Sequence, residues 1–331
     1  MDWVRGEKLG HGSFAMVSLA VARSQSSKLP PLMAVKSCGV SLSSSLMSEK
    51  LILEELKDCP EIIRCFGGSF SRENGELLYN ILLEYASGGS LADKLKTSAE
   101  RRLPEFEARR YTKALLRGLD YIHKSGFVHC DLKLQNILLC QNDAVKIADF
   151  GLAKKTEERG SGYMRGTPMY MSPEMAAGGD QGAAADVWAL GCAVAEMITG
   201  SPVWRCSDVA GLLMKIGGGD ESPEIPMGLS EEGKDFLEKC FVKDPNKRWT
   251  AEMLLDHPFI CDQDFGDREE KYKASTSPRC AFDFPDDWIS SPEHSPEPGS
   301  WLSVAAAGRL QELVSGQSPD WSVSDGWVTV R

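Results

Sequence analysis

The alternation of apolar and polar positions divides the chain into a stranded first part and a helical second part. Leu9 to Ala22 predicts strand, Gly-rich turn and strand; Met33 to Cys38 predicts a short alternating strand and Leu77 to Glu84 a buried apolar one. Between them, Ser45 to Leu56 predicts a helix with Leu46, Ile52, Leu53 and Leu56 on one face. The Ala-Ser-Gly-Gly-Ser stretch at 86–90 reads as a hinge, and beyond it the period becomes helical. Pro104 opens a helix that carries Tyr111, Leu115, Leu119 and Ile122 toward a core and stops before Gly126. Ala184 to Thr199 is apolar nearly all round, which predicts a buried helix. Between these helices, Ile137 to Leu139 and Val145 to Ile147 flank Gln141-Asn142-Asp143, a hairpin signature. No internal repeat is present.

The pattern stops after Pro258-Phe259-Ile260, where the chain turns rich in Ser, Pro and Asp. Residues 262–331 hold 6 basic and 13 acidic side chains, so the tail carries −7 of the net −11. With few aliphatic residues it is expected to be largely disordered, except for a short amphipathic helix through Leu302, Ala306, Leu310 and Leu313. The acidic balance argues against a nucleic-acid partner or an anionic membrane surface. No apolar run approaches the roughly eighteen residues a membrane span needs, and the N-terminus resembles neither a secretion signal nor a myristoylation site. Ten cysteines without a Cys-x-x-Cys pair or a His at metal spacing predict reduced thiols in a cytoplasmic protein, with the nucleus as a second location.

Three features carry chemistry. Gly10-His11-Gly12-Ser13-Phe14-Ala15 lies between two strands, where glycines let backbone amides approach a phosphate, and where a dinucleotide fold would instead need a helix. Strand alternation puts Ala34 and Lys36 on one face, and Glu49 lies on or near the apolar face of the first helix. A pairing of Lys36 with Glu49 would account for two charges that are otherwise out of place; a snorkelling lysine and a solvent-facing glutamate are the plainer alternatives. The third block is His129-Cys130-Asp131-Leu132-Lys133-Leu134-Gln135-Asn136, followed after the hairpin by Asp149-Phe150-Gly151. It offers a base and two oxygen ligands for Mg²⁺ in one cleft.

With Ser172-Pro173-Glu174 following in order, these motifs resemble the eukaryotic protein kinase superfamily over residues 3–260. The resemblance implies an α+β bilobal protein kinase fold: a β-rich N-lobe over about 3–85, a helical C-lobe over about 90–260, and a regulatory tail over 261–331. It implies ATP and Mg²⁺ as cofactors. Leu9, the loop Gly10 to Ala15, Met16, Val17 and Ala34 would enclose ATP, with Lys36 on its phosphates and Glu49 as the partner of Lys36. Leu83 would be the gatekeeper, and Glu84 to Ala86 the hinge that reads adenine. Asp131 would orient and deprotonate the substrate hydroxyl, Lys133 would neutralise the γ-phosphate, and Asn136 and Asp149 would hold Mg²⁺. The resemblance also pairs Glu174 with Arg248, braces the catalytic loop from Asp186, and stacks His129, Phe150 and Leu53.

Lys133 and Gly166-Thr167-Pro168 look like Ser/Thr kinases, and the string from Gly166 to Glu174 is similar to the MAP kinase cascade group. The whole looks like a plant MEKK-like MAP kinase kinase kinase, which implies signal transduction, stress responses included, and a MAP kinase kinase as substrate. A Ser/Thr kinase of the receptor-like cytoplasmic type and a cascade scaffold with incidental catalysis stay open as alternatives.

Two positions depart from the family pattern. Ala15 replaces a glycine without removing an amide donor. Cys130 stands where most kinases carry the Arg that receives a phosphorylated activation loop, which a neutral thiol cannot do. Weaker dependence on phosphorylation at Thr156, Ser161, Tyr163 or Thr167 is therefore expected; a redox switch at Cys130, resolved by Cys140, is the alternative. In the tail, Trp288, Trp301, Trp321 and Trp327 suit short recognition motifs, and Ser277, Ser291, Ser295 and Ser318 each precede Pro, as in feedback by proline-directed kinases.

Overall fold

A computed structural model describes residues 2–12, 15–24, 29–158, 165–205, 208–219 and 221–261 of the chain. Ser13, Phe14, Ser161, Tyr163 and every expectation for the tail lie outside the described residues. The stranded part is a five-stranded antiparallel sheet of β1 (Trp3–His11), β2 (Met16–Ala22), β3 (Leu32–Gly39), β4 (Cys65–Glu73) and β5 (Glu76–Glu84), in the order β1-β2-β3-β5-β4. The helix α1 (Ser43–Glu55) covers one face of it.

Alternation along β3 sorts its side chains to the two faces. Met33 and Val35 join Trp3, Ala20 and Leu82 on one side, while Ala34 and Cys38 join the core beneath α1 through Leu46, Leu53 and Leu56. Two details differ from the sequence reading. Strand β4 has no apolar run to announce it: Gly67, Gly68, Ser69 and Ser71 interrupt it. And β5 is buried only from Tyr79 onward, with Leu77 exposed and the polar Asn80 fully buried. Asn80 tolerates that position because Ser37 donates to its Oδ1 (2.7 Å) and its amide donates to Ser71 Oγ and the Ser69 carbonyl. The edges of the sheet also meet, since Arg5 on β1 forms a paired hydrogen bond with Glu73 on β4 (2.8 and 3.0 Å).

The helical part comprises α2 (Leu91–Thr97), α3 (Glu105–Lys124), α4 (Pro173–Ala176), α5 (Ala183–Thr199), α6 (Val209–Gly218), α7 (Glu231–Cys240) and α8 (Ala251–Leu255). Short pairs β6 (Phe127–Val128) with β9 (Lys154–Lys155), and β7 (Ile137–Leu139) with β8 (Val145–Ile147), carry the loops between α3 and α4. Tyr111, Leu115, Leu119 and Ile122 of α3 are all fully buried. Helix α5 is buried almost along its whole length, so it forms the axis of this region. The stretch at 86–90 is tied down at its far end. Gly88 N–H donates to the Leu139 carbonyl and Leu139 N–H to the Gly89 carbonyl (both 2.9 Å), while Ser90 and Asp93 cap α2 reciprocally. No described helix is long and apolar enough to cross a membrane.

Candidate active site

The first cluster forms where β3, α1 and the segment after β8 converge. Lys36 Nζ lies 2.7 Å from Glu49 Oε2 and 2.6 Å from Asp149 Oδ1. Glu49 is 1% exposed, which rules out the solvent-facing alternative: Leu46 and Leu53, one turn away on either side, put it on the buried stripe of α1. Burial works against the Lys36 ammonium, but Glu49 and Asp149 outweigh it and hold its pKa above the ordinary value. At Asp149 burial acts to raise the pKa and Lys36 more than offsets it, so the carboxylate is held below the usual range. At Glu49 burial dominates and raises the pKa against the pull of Lys36. The two directions at this contact are compatible: Lys36 stays the protonated partner, and Glu49 depends on it to remain ionised.

Asp149 adopts a left-handed backbone (φ 66°), and the following Phe150 is buried edge-on against His129, ring centroids 4.8 Å apart. His129 in turn reaches the Ala148 carbonyl (3.1 Å). Phe150, His129 and Leu53 are all buried.

The second cluster is built on the loop after β6. Lys133 Nζ donates to Asp131 Oδ2 (2.7 Å) and to Thr167 Oγ1 (2.9 Å), and Thr167 Oγ1 donates to Asp131 Oδ1 (2.7 Å). Asn136 turns its amide to the Asp131 carbonyl (2.9 Å) and Oδ2 (3.1 Å), which leaves its side-chain oxygen as its acceptor group. Asp186, buried at the start of α5, accepts from the main-chain N–H groups of His129 (2.8 Å) and Cys130 (3.0 Å) and contacts His123 (2.9 Å). Burial acts to raise its pKa, but His123 and these donors hold it below the ordinary value, so it braces the loop as a carboxylate. Behind the segment, Arg248 binds Glu174 through two hydrogen bonds (2.7 and 2.9 Å), with the guanidinium side chain fully buried.

The remaining sequence candidates lie on or next to β1, β2, β3 and the end of β5. Gly10 pairs with Val17 and His11 with Met16 across the β1–β2 turn, and Gly12 N–H donates to the Ala15 carbonyl (2.9 Å). Val17 pairs with Lys36, and Ala34 with Leu83. Leu9 is 40% exposed. Glu84 forms an ion pair with Lys146 (3.0 Å) that the sequence did not suggest, and Ala86 accepts from Gly89 (3.2 Å). Cys130 is buried, and burial reinforced by the Asp186 charge pushes its thiol well above its ordinary pKa. Cys140 is likewise raised by burial, to about 12. Neutral buried thiols are poor nucleophiles, which counts against the redox switch. Sequence reasoning also missed Gln181, whose amide donates to the Cys130 carbonyl (3.0 Å).

A carboxylate held by a lysine, a threonine and an asparagine, beside a Lys–Glu–Asp charge cluster, is an arrangement suited to phosphoryl transfer. The model of the protein kinase domain matches residues 3–260. Mitogen-activated protein kinase kinase kinase 20 of Arabidopsis thaliana is 51% identical over 348 aligned positions that span 100% of both chains. The chain is a member of the protein kinase family, in its mitogen-activated protein kinase kinase kinase branch. Mitogen-activated protein kinase kinase kinases 17 and 18 of the same plant are each 42% identical, covering 78% and 80% of this chain and 70% and 79% of their own. This protein kinase is accordingly a Ser/Thr protein kinase, with the β-sheet N-lobe and helical C-lobe of the family.

Protein kinases use ATP and Mg²⁺, and the residues here fit that pair. Among the described residues no group of three or more His, Cys, Asp or Glu forms a metal cage. Two oxygen donors, Asp149 and Asn136, suit a Mg²⁺ ion that takes its other ligands from phosphate and water. The lowered pKa of Asp149 keeps it ionised for that role.

Proposed function

We propose that this kinase transfers the γ-phosphoryl group of ATP to a Ser or Thr hydroxyl in the activation loop of a MAP kinase kinase. The observation that carries the reading is Asp131, held by Lys133, Thr167 and Asn136 at 2.7–3.1 Å with both carboxylate oxygens oriented. Asn136 and Asp149 would hold Mg²⁺, and the chemistry that ion would supply is charge neutralisation on the phosphate oxygens. Lys36 binds the α- and β-phosphates, and Glu49 fixes its direction. The turn from Gly10 to Ala15 offers backbone amides to the phosphates, while Leu9, Val17, Ala34, Leu83 and the 84–86 strand end enclose adenine. Asp131 orients the incoming hydroxyl and accepts its proton, and Lys133 neutralises charge on the group in transfer.

The substrate class rests on the relatives, whose names place them one step above a MAP kinase kinase. Location in the cytoplasm and nucleus, feedback phosphorylation of the Ser-Pro sites of the tail, and reduced dependence on activation-segment phosphorylation belong to the same reading. The test is a panel of purified MAP kinase kinases incubated with full-length protein and with its Asp131→Ala variant. Phosphate on activation-loop Ser or Thr of at least one panel member, absent with the variant, is the expected result. Phosphorylation of a generic protein substrate with none on the panel would move the protein to another group of Ser/Thr kinases.

A further inference from the structure

Cys130 holds an unusual backbone for a residue with a side chain. Its φ is 70°, in the left-handed region, where a non-glycine residue is strained and persists only if its surroundings hold it. Its side chain does little of that holding, because the thiol reaches only the Val128 carbonyl at 3.5 Å. The main chain is held instead. Asp186 accepts from the Cys130 N–H, and the Gln181 amide donates to the Cys130 carbonyl, each at 3.0 Å. Gln181 lies two residues before the first residue of α5, so both restraints come from the same short stretch, 181–186.

The same carbonyl is also where the activation segment touches the catalytic loop. Gly166 has φ 103°, and a Cβ there would come within 2.6 Å of the Cys130 oxygen. The next residue is Thr167, which bonds Asp131. One carbonyl thus joins three segments: the loop bearing Asp131, the end of the activation segment, and the lead-in to α5. A small cavity lined by Cys130, Asp131, Arg165, Gln181 and Ser172 sits at this junction, and the buried Ser172 hydroxyl has no protein partner.

We propose that Gln181 is a positioning residue. It locks the catalytic loop through the Cys130 carbonyl and so orients Asp131 without a phosphate on the activation segment, in place of an anchor supplied by the side chain at position 130. The inference rests on the kinase reading above and names the device that makes Cys130 tolerable.

The test uses full-length protein, with kcat and KM for ATP and for a protein substrate measured before and after phosphatase treatment. Gln181→Leu removes the donor at similar volume, Gln181→Glu keeps the shape but presents an acceptor, and Gln181→His keeps a donor. Wild-type kcat is expected to change less than about twofold on phosphatase treatment. The Leu and Glu variants should lose about tenfold in kcat with KM for ATP within about twofold, as expected for one buried hydrogen bond that acts on orientation. Gln181→His should recover most of that loss, and thermal melting of Gln181→Glu separates a positioning loss from simple unfolding. Adding Cys130→Arg to Gln181→Leu should restore kcat only in the phosphorylated protein. Unchanged kcat in the Leu and Glu variants, equal loss in the His variant, or a wild-type enzyme silenced by phosphatase each overturns the inference while leaving the kinase reading in place. A wild-type protein without phosphotransfer to any protein would instead overturn the functional reading itself.

Discussion

The Lys36 cluster and the Asp131 cluster are neighbours, joined where Ala148 N–H donates to the Asn136 carbonyl (2.9 Å), yet they are anchored differently. The first is charge against charge. One ammonium from β3 meets one carboxylate from α1 and another from the segment after β8, and its geometry persists only while all three elements stay together. The second has an ion pair of its own, Lys133 with Asp131, but its loop is also held through the main chain, by Asp186 and Gln181 from a stretch anchored on the most buried helix. A site that must bind and release a nucleotide gains from the first kind of construction, and a base that must keep one orientation gains from the second.

The strongest break in this comparison is at the base. Asp131→Ala should lower kcat by roughly 10²–10⁴ while leaving the melting temperature close to wild type, as measured by steady-state phosphorylation and calorimetry. Glu49→Gln should act differently, because Lys36 keeps Asp149 as a partner: KM for ATP should rise, and kcat should fall less than in the Asp131 variant. Equal kcat losses in the two variants would mean that the clusters are not separable.

Stability should divide the regions in the opposite sense. Glu174→Gln leaves the fully buried Arg248 guanidinium without its counter-charge, so a loss of about 3–5 kcal/mol in urea unfolding is expected. The acid limb is a finer test. Asp149 and Asp186 have lowered pKa values in the folded protein, so each adds stability that is present above the ordinary Asp value and is lost as pH falls through the lowered one. Glu49, whose pKa is raised, runs the other way, its contribution falling as pH rises above the ordinary Glu value. Asp186→Asn should therefore flatten the loss of stability below about pH 4. The smallest effect is chemical: peptide mapping after brief iodoacetamide treatment of the native protein should find label on the exposed Cys261 and none on Cys130.

Much of this was legible in the chain. The β1–β2 turn, α1, α3, α5 and the β7–β8 hairpin follow from periodicity and punctuation, and the residues of both clusters follow from motif order. What escaped had physical causes. Strand β4 is written in glycine and serine, because the apolar cover comes from β5 and α1. Helices α2 and α8 are short and take their stability from caps and packing, which leave little periodic signal. Gln181 belongs to no motif. Its role exists only because the chain returns from α4 to α5 beside Cys130, and no spacing along the sequence encodes that approach.

By itself the sequence determined the kind of chemistry, since a base, a phosphate-directed lysine and two oxygen ligands need those side chains whatever surrounds them. It also determined the alternation that turns Lys36 toward α1. Only the tertiary structure decided that Glu49 is buried and paired, that Asn80 is satisfied inside the sheet, and that Cys130 is a closed, neutral thiol whose carbonyl joins three segments. The reason is that pairing, burial and close backbone approach depend on residues brought together across the fold: Lys36 with Asp149, Asp131 with Thr167, and Cys130 with Gln181.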